Sequence, residues 1–332
     1  MTSQTLHWGL LSTARINRAL IPPLNASKRN RLMAVASRSQ TSAESYAREW
    51  NIPRAHGSYE ALLDDPEIDV IYNSLPNHLH AEWTIKALRA GKHMLCEKPL
   101  ALSVQEVDDI IHASRETGKV AVEAFMYRHH PQTLKVKEIV ESGALGVLQL
   151  IRGSFTFTLT REGDVRLKKE MGGGSIWDVG CYPISYARTI VGAEPLEVFG
   201  WQVEGQTGID ESFIGQMRFR DDILAQFDSG FKSPLRTHLE LVGSDATLTI
   251  PKPFKPGHNE VIHLTRGDET ETIKIAGQEL YIGEVEDMAD AILLGHDPRI
   301  SLDDSRANVA VINALLESAR AGKPVKPDFG SF

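Results

Sequence analysis

A lysine and a tyrosine far apart in the chain have the chemistry for proton transfer. Lys98 ends an apolar run in GKHMLCEKPL (91–100), and Tyr182 lies four residues after Asp178 in EMGGGSIWDVGCYPISYAR (170–188). A tyrosine can exchange a proton near neutral pH when a neighbouring cation stabilises its phenolate and lowers its pKa from about 10. The two residues therefore suit acid–base catalysis. The simpler alternative is that Lys98 is a surface lysine in a turn and Tyr182 is a tyrosine of the core.

The elements around Lys98 predict where it lies. Five apolar strands alternate with four helices, the strands at 6–11, 31–37, 69–75, 92–99 and 119–125 and the helices at 14–24, 42–50, 80–91 and 103–118. This alternation predicts a parallel, doubly wound sheet covered on both faces. Ligands of such sheets bind beyond the carboxyl ends of the strands, which is where Lys98 follows the fourth strand. The first helix is expected to end near Pro22 and Pro23.

From about residue 147 the pattern changes to longer segments with partial period-two alternation. These segments lie at 147–159, 196–204, 212–220, 222–231, 237–243 and 246–250. They predict an antiparallel sheet with one face against helices and the other face open to self-association. A helix after the Gly-rich segment 172–175 interrupts the series, and helices at 284–295 and 303–322 close the chain.

The turn after the first strand lacks the glycines of a dinucleotide-binding fingerprint. In place of G-x-G-x-x-G the chain has, in order, Ser12, Thr13, Ala14, Arg15, Ile16 and Asn17. Ser12 and Ala14 are small enough to let a pyrophosphate approach the backbone, whereas Asn17 is expected to loosen the packing of helix on strand. We expect Ser12 to Ile16 to cradle the pyrophosphate, and an ordinary strand–turn–helix is the alternative.

The end of the second strand favours NADP over NAD. It reads Ala36-Ser37-Arg38-Ser39, with no carboxylate where an NAD enzyme places Asp or Glu against the ribose 2′-hydroxyl. The Ser37 hydroxyl and the Arg38 guanidinium suit a 2′-phosphate instead. The expected cofactor is NADP(H), with NAD(H) as the alternative.

Composition excludes several classes of function. With 36 basic and 44 acidic residues among 332, the chain lacks the positive charge that drives nucleic-acid binding. It has neither an apolar run of about 18 residues nor a secretory leader, so we expect no membrane contact and a cytoplasmic protein. Cys96 and Cys181 are expected to be buried free thiols. The histidine pairs at 78/80 and 129/130 lack completing ligands, so no metal is expected.

Four segments taken together resemble the Gfo/Idh/MocA oxidoreductases. They are SLPNHLH (74–80), AGKHMLCEKPL (90–100), EAFMYRHHP (123–131) and GGGSIWDVGCYPISYAR (172–188). The resemblance covers essentially the whole chain. It implies an N-terminal Rossmann domain over 1–124 and, over 125–332, an α/β domain with a large, mostly antiparallel open sheet for substrate binding and oligomerisation. It also implies homodimers or homotetramers formed through the C-terminal sheet, and leaves open whether the last helix packs back on the first domain.

The resemblance also implies roles for single residues. Lys98 would lie close to the nicotinamide, and Tyr182 would be the acid/base of the branch that contains dihydrodiol and D-xylose dehydrogenases. Asp178 and Arg166 would bind neighbouring substrate hydroxyls, while Glu97 would contact the nicotinamide ribose. The loop beside the cofactor would consist of Ser74, Leu75, Pro76, Asn77 and His80. Phe125 and Tyr127 follow the fifth strand. These two aromatic residues are expected either to line the substrate pocket or only to pack at the domain junction.

The expected reaction is hydride transfer between nicotinamide C4 and a carbinol or carbonyl carbon of a sugar, polyol or cyclic diol. In oxidation Tyr182 removes the hydroxyl proton while Lys98 stabilises the phenolate and orients the oxygen. A reductase of nucleotide-linked keto-sugars and a non-catalytic NADP sensor remain as alternatives. The enzymatic interpretation requires Lys98 and Tyr182 to act at one nicotinamide ring.

Overall fold

The computed structural model describes residues 5–330, which form two compact units. The first unit runs to Met126 and also takes in Tyr281–Ser305. The second unit covers Tyr127–Leu280 and continues from Arg306. The segments 1–124 and 125–332 as functional domains stay a prediction.

The first unit is built on a six-stranded parallel sheet. In chain order its strands are β1 (Leu6–Leu10), β2 (Asn30–Ala36), β3 (Arg54–His56), β4 (Val70–Asn73), β5 (His93–Glu97) and β6 (Ala121–Ala124). Their order in the sheet is β3-β2-β1-β4-β5-β6, and every neighbouring pair is parallel. The prediction of a doubly wound parallel sheet is confirmed. Strand β3 was not predicted, because its three half-buried residues at the sheet edge form no apolar run.

The helices of the first part of the chain follow these strands one by one. They are α1 (Asn17–Ala26), α2 (Gln40–Trp50), α3 (Tyr59–Leu63), α4 (His80–Arg89) and α5 (Val104–Thr117). The expectation that α1 ends near Pro22 and Pro23 is wrong, because both prolines lie inside the helix. Proline removes a helical hydrogen bond but fixes φ close to its helical value. Burial of Leu20, Ile21 and Leu24 on the sheet outweighs the missing bonds.

The second unit contains an eight-stranded, mostly antiparallel sheet, as predicted. Its strands are β7 (Leu148–Thr156), β8 (Glu197–Glu204), β9 (Asp210–Arg218), β10 (Leu224–Gly230), β11 (Arg236–Gly243), β12 (Thr247–Ile250), β13 (Asn259–Arg266) and β14 (Glu269–Ala276). Their order is β14-β13-β12-β11-β7-β10-β9-β8, and only β7 and β10 pair in parallel. Strands β13 and β14 were not predicted. Strand β14 carries no apolar alternation because it lies at the sheet edge with most of its residues exposed.

Four more helices complete the described chain. They are α6 (Pro131–Glu141), α7 (Cys181–Val191), α8 (Ile282–Leu293) and α9 (Leu302–Ala321). Helix α8 belongs to the first unit, and α9 continues into the second unit from Arg306. A π-helical turn, Ile176–Gly180, precedes α7 directly. This turn and α7 carry Asp178 and Tyr182.

A buried carboxylate anchors the Gly-rich turn that precedes this π-helical turn. Asp210, the first residue of β9, accepts hydrogen bonds from Ser175 Oγ at 2.6 Å and from the Ile176 amide at 2.8 Å. Gly174 has a φ of +127°, and a Cβ at this position would lie 2.3 Å from Asp210 Oδ1. Burial raises the pKa of Asp210 to about 6, against the opposing effect of these hydrogen bonds. The turn therefore needs glycine at 174 and a small acceptor at 210.

We expect Asp210→Asn to gain stability relative to the wild type as the pH rises from about 4 to 7. The pKa of Asp210 is about 6 in the folded state, above the ordinary value of 3.8. Asp210 therefore makes its full contribution to the free energy of unfolding below pH 3.8, and this contribution is lost as the pH rises through 6. Over that range the difference should change by about 3 kcal/mol. Denaturant unfolding at several pH values measures it. A pH-independent difference between Asp210→Asn and the wild type would contradict the prediction.

Candidate active site

Three buried polar side chains close the turn after β1 where a fingerprint would have glycines. Ser12, at φ +157°, has its Oγ 2.8 Å from Ser74 Oγ and accepts a hydrogen bond from the Ala14 amide at 3.1 Å. Asn17 Nδ2 donates to the Ser12 carbonyl, and Asn17 Oδ1 accepts from Ser74 Oγ, both at 2.7 Å. The expectation that Asn17 loosens the packing is wrong. Its fully buried amide ties the turn to the loop after β4.

The same turn presents backbone donors at the start of α1. The Ala14 amide is already bonded to Ser12 Oγ. The amides of Thr13, Arg15 and Ile16 have no hydrogen-bond partner within residues 5–330. Free amides at the positive end of a helix form an anion-binding site. The turn can thus hold a phosphate without its usual glycines.

Strand β2 ends beside this turn, because β1 and β2 are parallel neighbours. The Ser37 amide donates to the His56 carbonyl at 3.0 Å, and Arg38 is exposed. Burial raises the pKa of Tyr59, and the charge of Arg38 opposes this rise. The Arg38 side chain therefore lies near the Tyr59 phenol and remains exposed beyond the end of β2.

Lys98 follows β5 at this edge, next to a fixed carboxylate. The Tyr72 phenol on β4 donates a hydrogen bond to Glu97 Oε1. Complete burial, reinforced by the charge of Glu97, raises the pKa of Tyr72 well above its ordinary value. The phenol therefore stays protonated and fixes the carboxylate beside Lys98. The peptide bond between Lys98 and Pro99 is cis.

His80 joins the loop after β4 to the turn after β5. Its Nδ1 lies 2.7 Å from the Pro99 carbonyl oxygen and its Nε2 lies 2.7 Å from the Leu75 carbonyl oxygen. Asn73 holds the same loop, since its Oδ1 accepts from the Leu75 amide at 3.2 Å. Pro76 and Asn77 follow half-buried. Both nitrogens of His80 thus contact the backbone, and the cofactor contacts expected of this loop stay a prediction.

In the second unit Arg166 and Asp178 form an ion pair. Arg166 Nε donates to Asp178 Oδ2 at 2.7 Å, and Arg166 Nη1 lies 3.2 Å from Asp164 Oδ1. The charge of Asp178 raises the pKa of Arg166 and outweighs its burial. The structure brings together the two residues that the sequence assigned to substrate hydroxyls. It adds Asp164, which the sequence analysis missed although it stands two residues before Arg166.

Tyr182 lies in a cluster of aromatic rings in the second unit. Its ring centroid is 5.4 Å from Phe155, 5.7 Å from Tyr127 and 5.8 Å from Phe254. Tyr182 itself is 4% exposed. Apolar surroundings disfavour a phenolate, so a proton-transfer role requires a cation at its hydroxyl.

The two aromatic residues expected at the substrate pocket are both buried. Tyr127 stacks on Tyr186 with centroids 5.3 Å apart, and its hydroxyl donates to Ser185 Oγ at 2.9 Å. Phe125 is 1% exposed in the first unit. Tyr127 therefore supports α7 by packing, while contact of either residue with substrate stays a prediction.

The described residues form neither a metal-binding cluster nor a membrane-spanning helix. Among residues 5–330, no three or more histidine, cysteine or acidic side chains converge as a metal site. Within the same range no helix has the length and apolar character that crossing a membrane requires. Cys96 and Cys181 are buried free thiols, as expected.

Two family models match successive parts of the chain. The model described as "Oxidoreductase family, NAD-binding Rossmann fold" matches residues 6–125, and the "GFO/IDH/MocA C-terminal domain" matches residues 133–249. The chain is 35% identical to D-xylose 1-dehydrogenase (NADP(+)) 2 of Haloferax volcanii, over 97% of this chain and 99% of the relative. It is 31% identical to dTDP-3,4-didehydro-2,6-dideoxy-alpha-D-glucose 3-reductase of Actinomadura kijaniata, over 91% of this chain and 92% of the relative.

A solved structure extends the likeness to the whole fold. A 3-ketoreductase from Actinomadura kijaniata in complex with NADP and TDP-benzene superposes with a TM-score of 0.90 at 29% identity, covering 95% of this chain and 98% of that one. The same ketoreductase was also solved with one tyrosine changed to phenylalanine and with one lysine changed to alanine. The matched models, the full-length relatives and the shared fold lead to one conclusion: the chain belongs to the Gfo/Idh/MocA family of oxidoreductases.

Proposed function

We propose that this protein is an NADP(H)-dependent oxidoreductase that acts on a carbinol or carbonyl carbon of a sugar, polyol or cyclic diol. One observation carries the proposal. The anion-binding turn after β1, Arg38 after β2 and Lys98 after β5 all follow the carboxyl ends of parallel strands of one sheet. This edge is where ligands of doubly wound sheets bind.

The residues at this edge fit NADP(H). The amides of Thr13, Arg15 and Ile16 would hold the pyrophosphate, as an anion is held at a helix N-terminus. Arg38 and Ser37 would hold the 2′-phosphate, and no carboxylate follows β2 to repel it. NADP(H), when bound, supplies or accepts the hydride.

The proton is handled by residues of the chain. In oxidation Tyr182 would take the proton of the substrate hydroxyl, and in reduction it would return that proton. Lys98 would provide the cation that the buried phenol requires, and would orient the reacting oxygen. The Arg166–Asp178 pair would bind neighbouring hydroxyls. A tyrosine and a lysine were the residues changed in the related ketoreductase, which supports this pair of roles.

A second candidate is the reduction of a nucleotide-linked keto-sugar. The Actinomadura relative at 31% identity, named as a reductase of such a sugar, favours this candidate. Two sets of substrates separate these candidate functions. Aldoses, inositols, anhydro-sugars and diols are tested for oxidation with NADP⁺, and dTDP-linked keto-sugars are tested for reduction with NADPH. If no member of either set shows hydride transfer in single-turnover absorbance measurements, the alternative of a non-catalytic NADP sensor gains support.

We also propose that the protein works in the cytoplasm as a homodimer or homotetramer formed through its C-terminal sheet. Trp201 on β8 and Ile214 on β9 are paired residues, 58% and 53% exposed. Val203, two residues further along β8, is 67% exposed. Exposed apolar side chains grouped on one sheet face are typical of an association surface.

Arg38→Ala should weaken NADPH binding by about 10- to 100-fold and leave NADH binding unchanged. The reason is the loss of charge-assisted hydrogen bonds to the 2′-phosphate, worth about 1.5–3 kcal/mol. Fluorescence titration of both cofactors measures the two affinities. The control is Arg31→Ala, because Arg31 is an exposed arginine on β2 itself, away from the carboxyl end of the strand. Unchanged NADPH affinity, or an equal loss for both cofactors, would remove Arg38 from the 2′-phosphate site.

Tyr182→Phe should lower kcat by roughly 10²- to 10⁴-fold on a proven substrate, the range of general acid–base catalysis. Cofactor affinity should not change. Tyr186→Phe is a matched control, because it removes a buried phenol one turn later on the same helix. Near-normal turnover of Tyr182→Phe would leave Lys98 as the sole acid–base candidate.

Trp201→Arg should shift the protein toward its monomer mass of 36.8 kDa in light scattering, because a buried unpaired charge is costly at an interface. The control is Leu294→Arg, an exposed apolar residue in the first unit. A wild type that is already monomeric would refute the proposed association.

A further inference from the structure

One peptide group after Lys98 is held on both sides by buried ionisable side chains. The Pro99 carbonyl oxygen lies 2.7 Å from His80 Nδ1. The Leu100 amide donates to Glu123 Oε1 at 2.8 Å. This carbonyl and this amide belong to the same peptide group, and His80 and Glu123 are each 1% exposed. The imidazole and the carboxylate therefore clamp the peptide that follows Lys98 and Pro99.

The second ring nitrogen of His80 also faces a carbonyl oxygen, that of Leu75, at 2.7 Å. A carbonyl oxygen only accepts hydrogen bonds, so each ring nitrogen at this distance has to donate one. A neutral imidazole carries a single N–H and would direct a lone pair at one of the two oxygens. Only the imidazolium satisfies both contacts.

The charges around His80 decide whether an imidazolium can persist there. Burial lowers the pKa of His80 below its ordinary value; the two carbonyl contacts oppose this shift, and the charges of Lys98 and His78 add to it. An imidazolium therefore persists only if an opposite charge compensates for its burial. An unpaired buried cation would be too costly. Glu123 provides the opposite charge on the other side of one peptide group. A peptide dipole with its carbonyl toward a cation and its amide toward an anion is stabilised by both.

We propose that His80 is a buried imidazolium paired with the Glu123 carboxylate through the Pro99–Leu100 peptide, and that this clamp positions Lys98. His80 is then a positioning residue, which acts on Lys98 through the backbone. The positioning part of the proposal rests on the function proposed above for Lys98. The protonation state does not, and it can be tested without any substrate.

The protonation state is read from the ring nitrogens of ¹⁵N-histidine-labelled full-length protein at pH 8.5. An exposed histidine, with a pKa of about 6.5, is about 99% neutral at that pH. We expect one histidine to keep both ring nitrogens protonated, and its signals to be missing from His80→Gln. Absence of any imidazolium from the wild-type spectrum overturns the proposal, and this result needs no variant to fold.

The pairing with Glu123 is tested by Glu123→Gln, which keeps an acceptor for the Leu100 amide and removes the charge. The persistent imidazolium should then lose its proton at a pH at least one unit lower, a tenfold loss of proton affinity. Glu82→Gln is the matched control, because it removes an exposed carboxylate from the same helix as His80. An unchanged titration in Glu123→Gln refutes the pairing.

The positioning of Lys98 is tested by the kinetics of His80→Gln. We expect kcat at saturating NADPH to fall by about tenfold or more, since small misplacements of a catalytic group are costly. An unchanged kcat at saturating NADPH overturns the positioning role. If the wild type has no oxidoreductase activity, the proposed function fails, and the nitrogen spectra still decide the charge of His80.

Discussion

Loops at the carboxyl edge of the parallel sheet contain backbone groups that water cannot reach, and buried side chains must satisfy them. This constraint governs the whole candidate cofactor edge. Asn17 bonds the Ser12 carbonyl, Asn73 bonds the Leu75 amide, and Glu123 bonds the Leu100 amide. Each of the three polar side chains is essentially inaccessible to solvent. Hydrogen bonds from these buried side chains thus hold the loops that would contact a cofactor, without any contribution from a ligand.

The turn after β1 illustrates how such bonds replace a sequence motif. Glycines permit close approach of a phosphate because they lack side chains. Here Ser12 turns its hydroxyl inward to Ser74 and Ala14, so its side chain does not occupy the side that an anion needs. As a consequence, the Ala14 amide is bonded to Ser12 Oγ and cannot donate to an anion. The remaining free amides and the helix terminus keep the turn suitable for an anion.

The sequence predicted the parts of this protein that periodicity and strand ends determine. The parallel sheet, the large antiparallel sheet and the position of Lys98 after β5 follow from apolar runs, which report burial directly. The sequence did not predict that α1 continues through Pro22 and Pro23, because tertiary packing there outweighs the low helix propensity of proline. The role of Asn17 was misjudged for a related reason. A side-chain amide inside a helix looks unfavourable until a partner such as Ser74, distant in the chain, is known to face it.

Other site residues could not be predicted because their importance lies in pairing. Tyr72 and Glu123 read as ordinary strand residues, and only the fold gives them the partners Glu97 and Leu100. A polar residue at the carboxyl end of an apolar strand is the one signal that could have marked Asn73 and Glu123. Asp210 carried no such signal, because it stands at the beginning of its strand.

The charges of Arg166, Asp164 and Asp178 bear on the kind of substrate that the proposed site would accept. Arg166 is shared by two carboxylates, those of Asp164 and Asp178, so this group carries a net charge of one negative unit. Such a group repels an anion and suits hydroxyls, which can donate to a carboxylate and accept from a guanidinium. If this group contacts the substrate, as proposed above, its chemistry suits a neutral, polyhydroxylated ring. If the substrate carries a nucleotide diphosphate, that portion has to bind away from Asp164 and Asp178, at a part of the protein with positive charge.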